Sequence, residues 1–98
     1  MRKVSIFGAT GSIGQSTLDL IKRAPDEYKV VALTGSSNIK QLAADAKALN
    51  AEIAVTADES RLDDLRDALR GTDIIAAAGQ NAITEAAHRP ADWIMSAI

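Results

Sequence analysis

The chain has 98 residues, of which 47% are hydrophobic and 24% charged; that is enough for one small core and too little for a two-domain enzyme. A net charge of −2, with no long run of Lys and Arg, gives no electrostatic footprint for nucleic acid. With no cysteine, a disulfide framework, a thiolate metal site and a cysteine nucleophile within this sequence are excluded, and a reducing cytoplasm fits.

The first apolar run, Val4-Ser5-Ile6-Phe7, follows Arg2-Lys3 and is cut by Gly8, too early for a signal peptide. It reads as a strand over Lys3–Phe7. Gly8-Ala9-Thr10-Gly11 then forms a turn, and Ser12 to Arg23 reads as a helix, with Ile13, Thr17, Leu20 and Ile21 near helical spacing and Asp19–Arg23 as an i,i+4 pair. Pro25 stops it. Tyr28 to Leu33 is a nearly continuous apolar run, the pattern of a strand buried on both faces. Thr34-Gly35-Ser36-Ser37-Asn38 reads as a loop whose Ser37 or Asn38 caps a second helix. That helix runs to Leu49 on Ile39, Leu42, Ala43 and Ala46.

Ile53-Ala54-Val55 reads as a third strand. Asp58 caps a third helix built on Leu62, Leu65 and Leu69 and ended by Gly71. A short strand over Asp73–Ala77, a helix over Gly79–His88 and a strand from Trp93 complete the pattern. No segment approaches the ~20 apolar residues of a membrane span, so no membrane partner is expected. The order βαβαβαβαβ predicts an α/β fold, a Rossmann-like, doubly wound, mostly parallel sheet. The last strand runs to Ile98 without a terminating turn, which predicts that residues 1–98 are the amino-terminal portion of a longer dinucleotide-binding domain, with an exposed sheet edge.

The glycine turn carries the chemistry. Glycines between a strand and a helix allow a tight exit and close backbone approach to a pyrophosphate. The N–H groups of the first helical turn, with the helix dipole behind them, attract negative charge. Gly8, Gly11 and Gly14 are spaced G-x-x-G-x-x-G, with Thr10, Ser12 and Ile13 presenting N–H and hydroxyl groups to phosphate oxygens. A bare structural turn is the alternative. An NAD-preferring site places Asp or Glu about 20 residues beyond the turn, on the ribose 2′-hydroxyl. Here residues 34–38 contain no carboxylate, and Asp45 lies well inside the second helix. Ser36, Ser37 and Asn38 can donate to a 2′-phosphate and Lys40 adds charge nearby, so NADP(H) is the expected cofactor; a plain polar helix cap is the alternative.

Other conspicuous residues have structural readings. His88 falls in a polar stretch before Arg89-Pro90. Asp63, Asp64 and Asp67 alternate with Arg61, Arg66 and Arg70 and read as a solvated face rather than a metal site. Trp93 reads as core or interface, and Asp19 as helix surface.

The string from Gly8 to Asp19, GATGSIGQSTLD, resembles the amino-terminal signature of the 1-deoxy-D-xylulose 5-phosphate reductoisomerase family. Val30-Val31-Ala32-Leu33 is similar to its second strand, Asn38 falls on its cofactor-loop Asn, and Gly79-Gln80 and Met95-Ser96-Ala97-Ile98 resemble later segments. The resemblance implies NADPH-dependent reductive isomerisation of deoxyxylulose phosphate to 2-C-methyl-D-erythritol 4-phosphate in non-mevalonate isoprenoid synthesis, by a cytoplasmic homodimer. It also implies a divalent cation, Mg²⁺ or Mn²⁺, with the acidic metal ligands and the substrate loop in a later domain. On matching positions Thr10, Gly11, Ser12, Ile13 and Asn38 contact NADPH, and Ala97 and Ile98 pass beside the nicotinamide half. Many members carry a basic residue where this chain has Ser37, which weakens the expected hold on a 2′-phosphate. The turn alone also fits a semialdehyde dehydrogenase or an extended short-chain reductase, and the fold alone fits a dinucleotide sensor; Ser16-Thr17-Leu18-Asp19 favours the reductoisomerases.

Overall fold

A computed structural model describes residues 2–96. Five strands form one parallel sheet: β1 (Arg2–Phe7), β2 (Tyr28–Gly35), β3 (Ile53–Thr56), β4 (Ile75–Ala78) and β5 (Trp93–Ser96). The spatial order is β4-β3-β2-β1-β5, with every pair parallel. The intervening helices are α1 (Ser12–Lys22), α2 (Ile39–Leu49), α3 (Leu62–Ala68) and α4 (Gln80–Ala87), with a 3₁₀ turn at Glu59–Arg61 before α3. No helix among the described residues is long and apolar enough to cross a membrane.

Alternation along the strands divides the core into two layers. Val4, Ile6, Val30, Leu33 and Ala54 pack with Leu18 and Ile21 of α1, Leu42 and Ala46 of α2, and Leu65 of α3. On the opposite face Val31, Ala32, Ile53 and Val55 pack with Ala82, Ile83 and Ala86 of α4. The sheet is therefore wound on both faces, with α4 on the face that α1–α3 leave open. Between Val4↔Val30 and Ile6↔Leu33 the register slips by one residue. This β-bulge puts both Val31 and Ala32 on the α4 side and returns Leu33 to the other.

Several sequence expectations need correction. Thr34 and Gly35 belong to β2, because each pairs with β3. In α1 the buried positions are Gly14, Leu18 and Ile21, whereas Ile13 and Leu20 are each 66% exposed. Gly14 has to face the preceding turn, which fixes the rotation of the helix and sends the 13/20 stripe outward. Asp58 caps the 3₁₀ turn rather than α3, accepting from the Ser60 N–H at 3.0 Å. Trp93 is not core: it is 45% exposed on β5, beside Tyr28 at 6.1 Å between centroids and under the Arg2 guanidinium at 5.0 Å. With Ile94 and Met95 also exposed, β5 is the apolar edge that the sequence predicts.

A carboxylate braces the first layer. Asp45 on α2 is 1% exposed. It accepts from Gln15 Nε2 at 2.6 Å and Gln41 Nε2 at 3.0 Å, and faces Lys22 Nζ at 3.5 Å. Those donors supply the compensation that a buried carboxylate requires. Ser5 is the opposite case: its Oγ is buried with no partner among the described residues. Asp45→Ala is expected to lower unfolding free energy by about 2–3 kcal/mol, since it removes the charged acceptor of two part-buried amide donors and leaves a gap between α1 and α2. Ser5→Ala is expected to be neutral or to stabilise by up to ~1 kcal/mol, since it removes a desolvated hydroxyl. Urea denaturation distinguishes the two.

Candidate dinucleotide site

Leaving β1, the chain adds β2, β3 and β4 on one side and then returns to the other side of β1 as β5. The carboxyl ends of β1 and β5 thus form the topological switch point, where open α/β sheets bind ligands. The glycine turn leaves β1 at that end. Gly8 has φ 82°, a conformation that L side chains rarely adopt. Its N–H donates to Thr34 Oγ1 at 3.0 Å, and the Ala9 N–H donates to the Thr34 carbonyl at 2.8 Å. The end of β2 therefore holds the first half of the turn.

Gly14 holds the second half. A Cβ there would collide with the carbonyl oxygen of Gly8 and lie 2.6 Å from that of Ala9. The close approach that Gly14 permits is between α1 and the turn itself. Gln15 adds a donor to the Ala9 carbonyl at 2.9 Å, linking the turn to the Asp45 brace.

The start of α1 is left open. Its N-cap is Gly11, and no side chain caps it. Gln15 N–H closes onto the Gly11 carbonyl at 2.9 Å, but the N–H groups of Ser12 and Ile13 have no acceptor among the described residues. The next helix differs. In α2 the Asn38 side chain accepts from Gln41 N–H at 3.3 Å, so Asn38 is a helix cap whose carboxamide nitrogen makes no hydrogen bond among the described residues. Unspent N–H groups at an exposed helix start, backed by the helix dipole, suit an anion.

Beside this turn lies a cleft of about 410 Å³, lined by Gly8, Thr10, Gly11, Thr34, Gly35, Ser36, Ala57 and Ile83. Of the residues expected from sequence, Gly8, Thr10, Gly11 and Ser36 line it directly. Ser12, Ile13 and Gly14 follow in the first turn of α1, and Ser37 and Asn38 continue from Ser36 into α2. Ala97 and Ile98 lie outside the described residues. Thr34, Gly35, Ala57 and Ile83 are additions. The first three stand at or just past the carboxyl ends of β2 and β3, which a parallel sheet brings together; Ile83 comes from α4, and no local signal marks it. Behind the cleft, Thr56 Oγ1 donates to the Ser36 carbonyl and accepts from Asp58 N–H. Hydrogen bonds from the Ser60 hydroxyl and N–H hold the Asp58 carboxyl below its ordinary range, so it stays ionised.

His88 is exposed at the end of α4, with Nδ1 2.8 Å from the Thr84 carbonyl. Asp63, Asp64 and Asp67 pair with Arg66, Arg61 and Arg70 on an exposed face. Among the described residues no three His, Cys, Asp or Glu side chains converge on a metal position.

The family model for 1-deoxy-D-xylulose 5-phosphate reductoisomerase matches residues 4–98. The chain belongs to that family. Among reductoisomerase relatives, that of Jannaschia sp. is 70% identical over 97 residues, covering 99% of this chain and 25% of the relative. That of Ruegeria sp. strain TM1040 is 65% identical over the full 98 residues, again 25% of the relative. The chain thus spans about a quarter of the length of these reductoisomerases. The structure of the Zymomonas mobilis reductoisomerase in complex with NADPH superposes with a TM-score of 0.97 at 56% identity, over 99% of this chain and 26% of that one. A reductoisomerase in complex with NADPH, fosmidomycin and magnesium gives 0.92 at 33% identity, over 100% and 24%. Membership in the reductoisomerase family removes the semialdehyde dehydrogenase and short-chain reductase assignments.

Within the turn, Gly14→Ala is expected to destabilise by about 1–3 kcal/mol, because the added methyl meets backbone that cannot yield. Gly11→Ala, whose Cβ meets the Gly8 carbonyl at an ordinary 3.6 Å, is expected to cost only about 0.5–1 kcal/mol, the preference for Gly over Ala at a helix N-cap. Thermal and urea melts of the two variants check the contrast.

Proposed function

We propose that residues 1–98 are the amino-terminal, dinucleotide-binding portion of an NADPH- and divalent-cation-dependent enzyme. Its reaction is the reductive isomerisation of 1-deoxy-D-xylulose 5-phosphate to 2-C-methyl-D-erythritol 4-phosphate, as the family name and the NADPH-bound relative support. The observation that carries the reading is the open start of α1: a glycine turn pinned by Thr34 and Gly14, with the Ser12 and Ile13 N–H groups unspent.

In this reading Gly8, Thr10, Gly11, Ser12, Ile13 and Gly14 cradle the pyrophosphate. Ser36, Ser37 and Asn38 face the adenosine ribose and its 2′-phosphate, and the Asn38 carboxamide nitrogen donates while its oxygen caps α2. Bound NADPH supplies the hydride for the reduction. This chain's residues bind and orient it, with the apolar side of Ile83 closing the cleft. The chain alone is then catalytically inert. The cation, supported as magnesium by the relatives' complexes, takes its ligands outside these residues. Manganese as an alternative cation, a cytoplasmic location and a homodimeric state belong to the same proposal.

The test is NADPH oxidation by the full-length protein, followed at 340 nm with deoxyxylulose phosphate and with Mg²⁺ or Mn²⁺ present or chelated. Turnover that requires both substrate and metal is the expected result. NADPH binding without turnover would leave a dinucleotide sensor instead. Sedimentation of the same preparation reads the dimer.

A further inference from the structure

The β2–α2 loop lacks the cation that a 2′-phosphate calls for, because Ser36, Ser37 and Asn38 are all neutral. Lys40, in the first turn of α2, is exposed and makes no hydrogen bond or ion pair among the described residues. The structure brings a different cation to this loop. Arg61, at the end of the 3₁₀ turn after β3, directs Nη1 to the Ser37 carbonyl at 3.4 Å. Its Nε is held by Asp64 Oδ2 at 2.7 Å. That ion pair fixes the plane of the guanidinium, while the long Nη1 contact is weak enough to yield to a better acceptor.

We propose that Arg61 reads the cofactor's 2′-phosphate from across the loop and sets the preference for NADPH over NADH. The assignment rests on the NADPH reading above. Three features favour it. A guanidinium has five donors, and among the described residues two are engaged, at Nε and Nη1. It sits partly exposed at the carbonyl of Ser37, the loop position next to the helix cap Asn38, where a phosphate would also meet the Ser36 and Ser37 hydroxyls. Of the nearby anions, Asp64 holds Arg61 itself, Asp58 accepts from the Ser60 N–H and hydroxyl, and Glu59, in the same turn, lays its side chain against Gly79. Arg61 thus supplies from the β3 side the charge-assisted contact that position 37 does not.

The experiment is fluorescence titration of the full-length protein with NADPH and, separately, with NADH. For Arg61→Ala the NADPH dissociation constant is expected to rise about tenfold, the equivalent of one charge-assisted hydrogen bond, with that for NADH unchanged. Arg61→Lys, which keeps charge but loses the fork, should fall between. Ser37→Arg in the Arg61→Ala background should restore the preference. An equal loss for both nucleotides, or no loss for either, overturns the assignment while leaving the NADPH reading intact. A parent protein that binds neither nucleotide overturns both.

Discussion

The approach of α1 to the turn that precedes it is the constraint on which the rest of this structure depends. Position 14 has no room for a Cβ because the carbonyls of Gly8 and Ala9 occupy that space. Once that approach is made, the rotation of α1 is settled. Leu18 and Ile21 follow Gly14 onto the sheet, and Ile13 and Leu20 are left outside. The same approach sets the start of α1 directly after the Gly8, Thr10 and Gly11 wall of the cleft. A backbone contact of this kind contributes little burial of its own; what it supplies is direction, which a ligand held by peptide dipoles needs.

The turn is braced from two sides by groups that play no part in its own backbone path. Thr34 uses both its hydroxyl and its carbonyl on the N–H groups of Gly8 and Ala9. Gln15 spans from the Ala9 carbonyl to the buried Asp45, which is in turn held by Gln41 and Lys22. A negative charge inside the α1–α2 layer is costly unless each oxygen is served. Here the donors come from two helices, so the carboxylate ties α2, and with it the Ser36–Asn38 loop, to the glycine turn. The two halves of the cleft cannot drift apart without exposing or orphaning that charge.

Much of this was legible in the sequence, because its signals are local. Gly8, Pro25, Asn38 and Gly71 punctuate the chain by fixed backbone preferences, and the continuous run Val30–Leu33 announced a strand covered on both faces. The parallel doubly wound sheet followed from their alternation. What stayed hidden depends on crossings between elements. The inward face of α1 is chosen by a steric contact rather than by hydrophobicity, so the apolar Ile13 and Leu20 misled. Thr34 and Gly35 read as turn residues because their type suits a turn, yet pairing with β3 holds them in a strand. Asp45 carried no mark of burial in its own helix, and Ile83 reaches the cleft, and Arg61 the Ser37 carbonyl, from elements whose sequence neighbours look like ordinary surface.

The connection of β5 to β1 has a kinetic consequence. Lys3 N–H donates to Asp92 Oδ2 at 2.8 Å across a separation of 89 residues, whereas Thr34 and Gly8 are only 26 apart. Closing the longer loop carries the larger entropy cost, and it is rewarded by a short, exposed strand. The turn, its Thr34 latch and the Asp45 brace all belong to the first two βα units. Assembly of the cradle therefore does not wait on the slowest pairing in the sheet, and a chain still emerging from the ribosome can complete it before β5 is made.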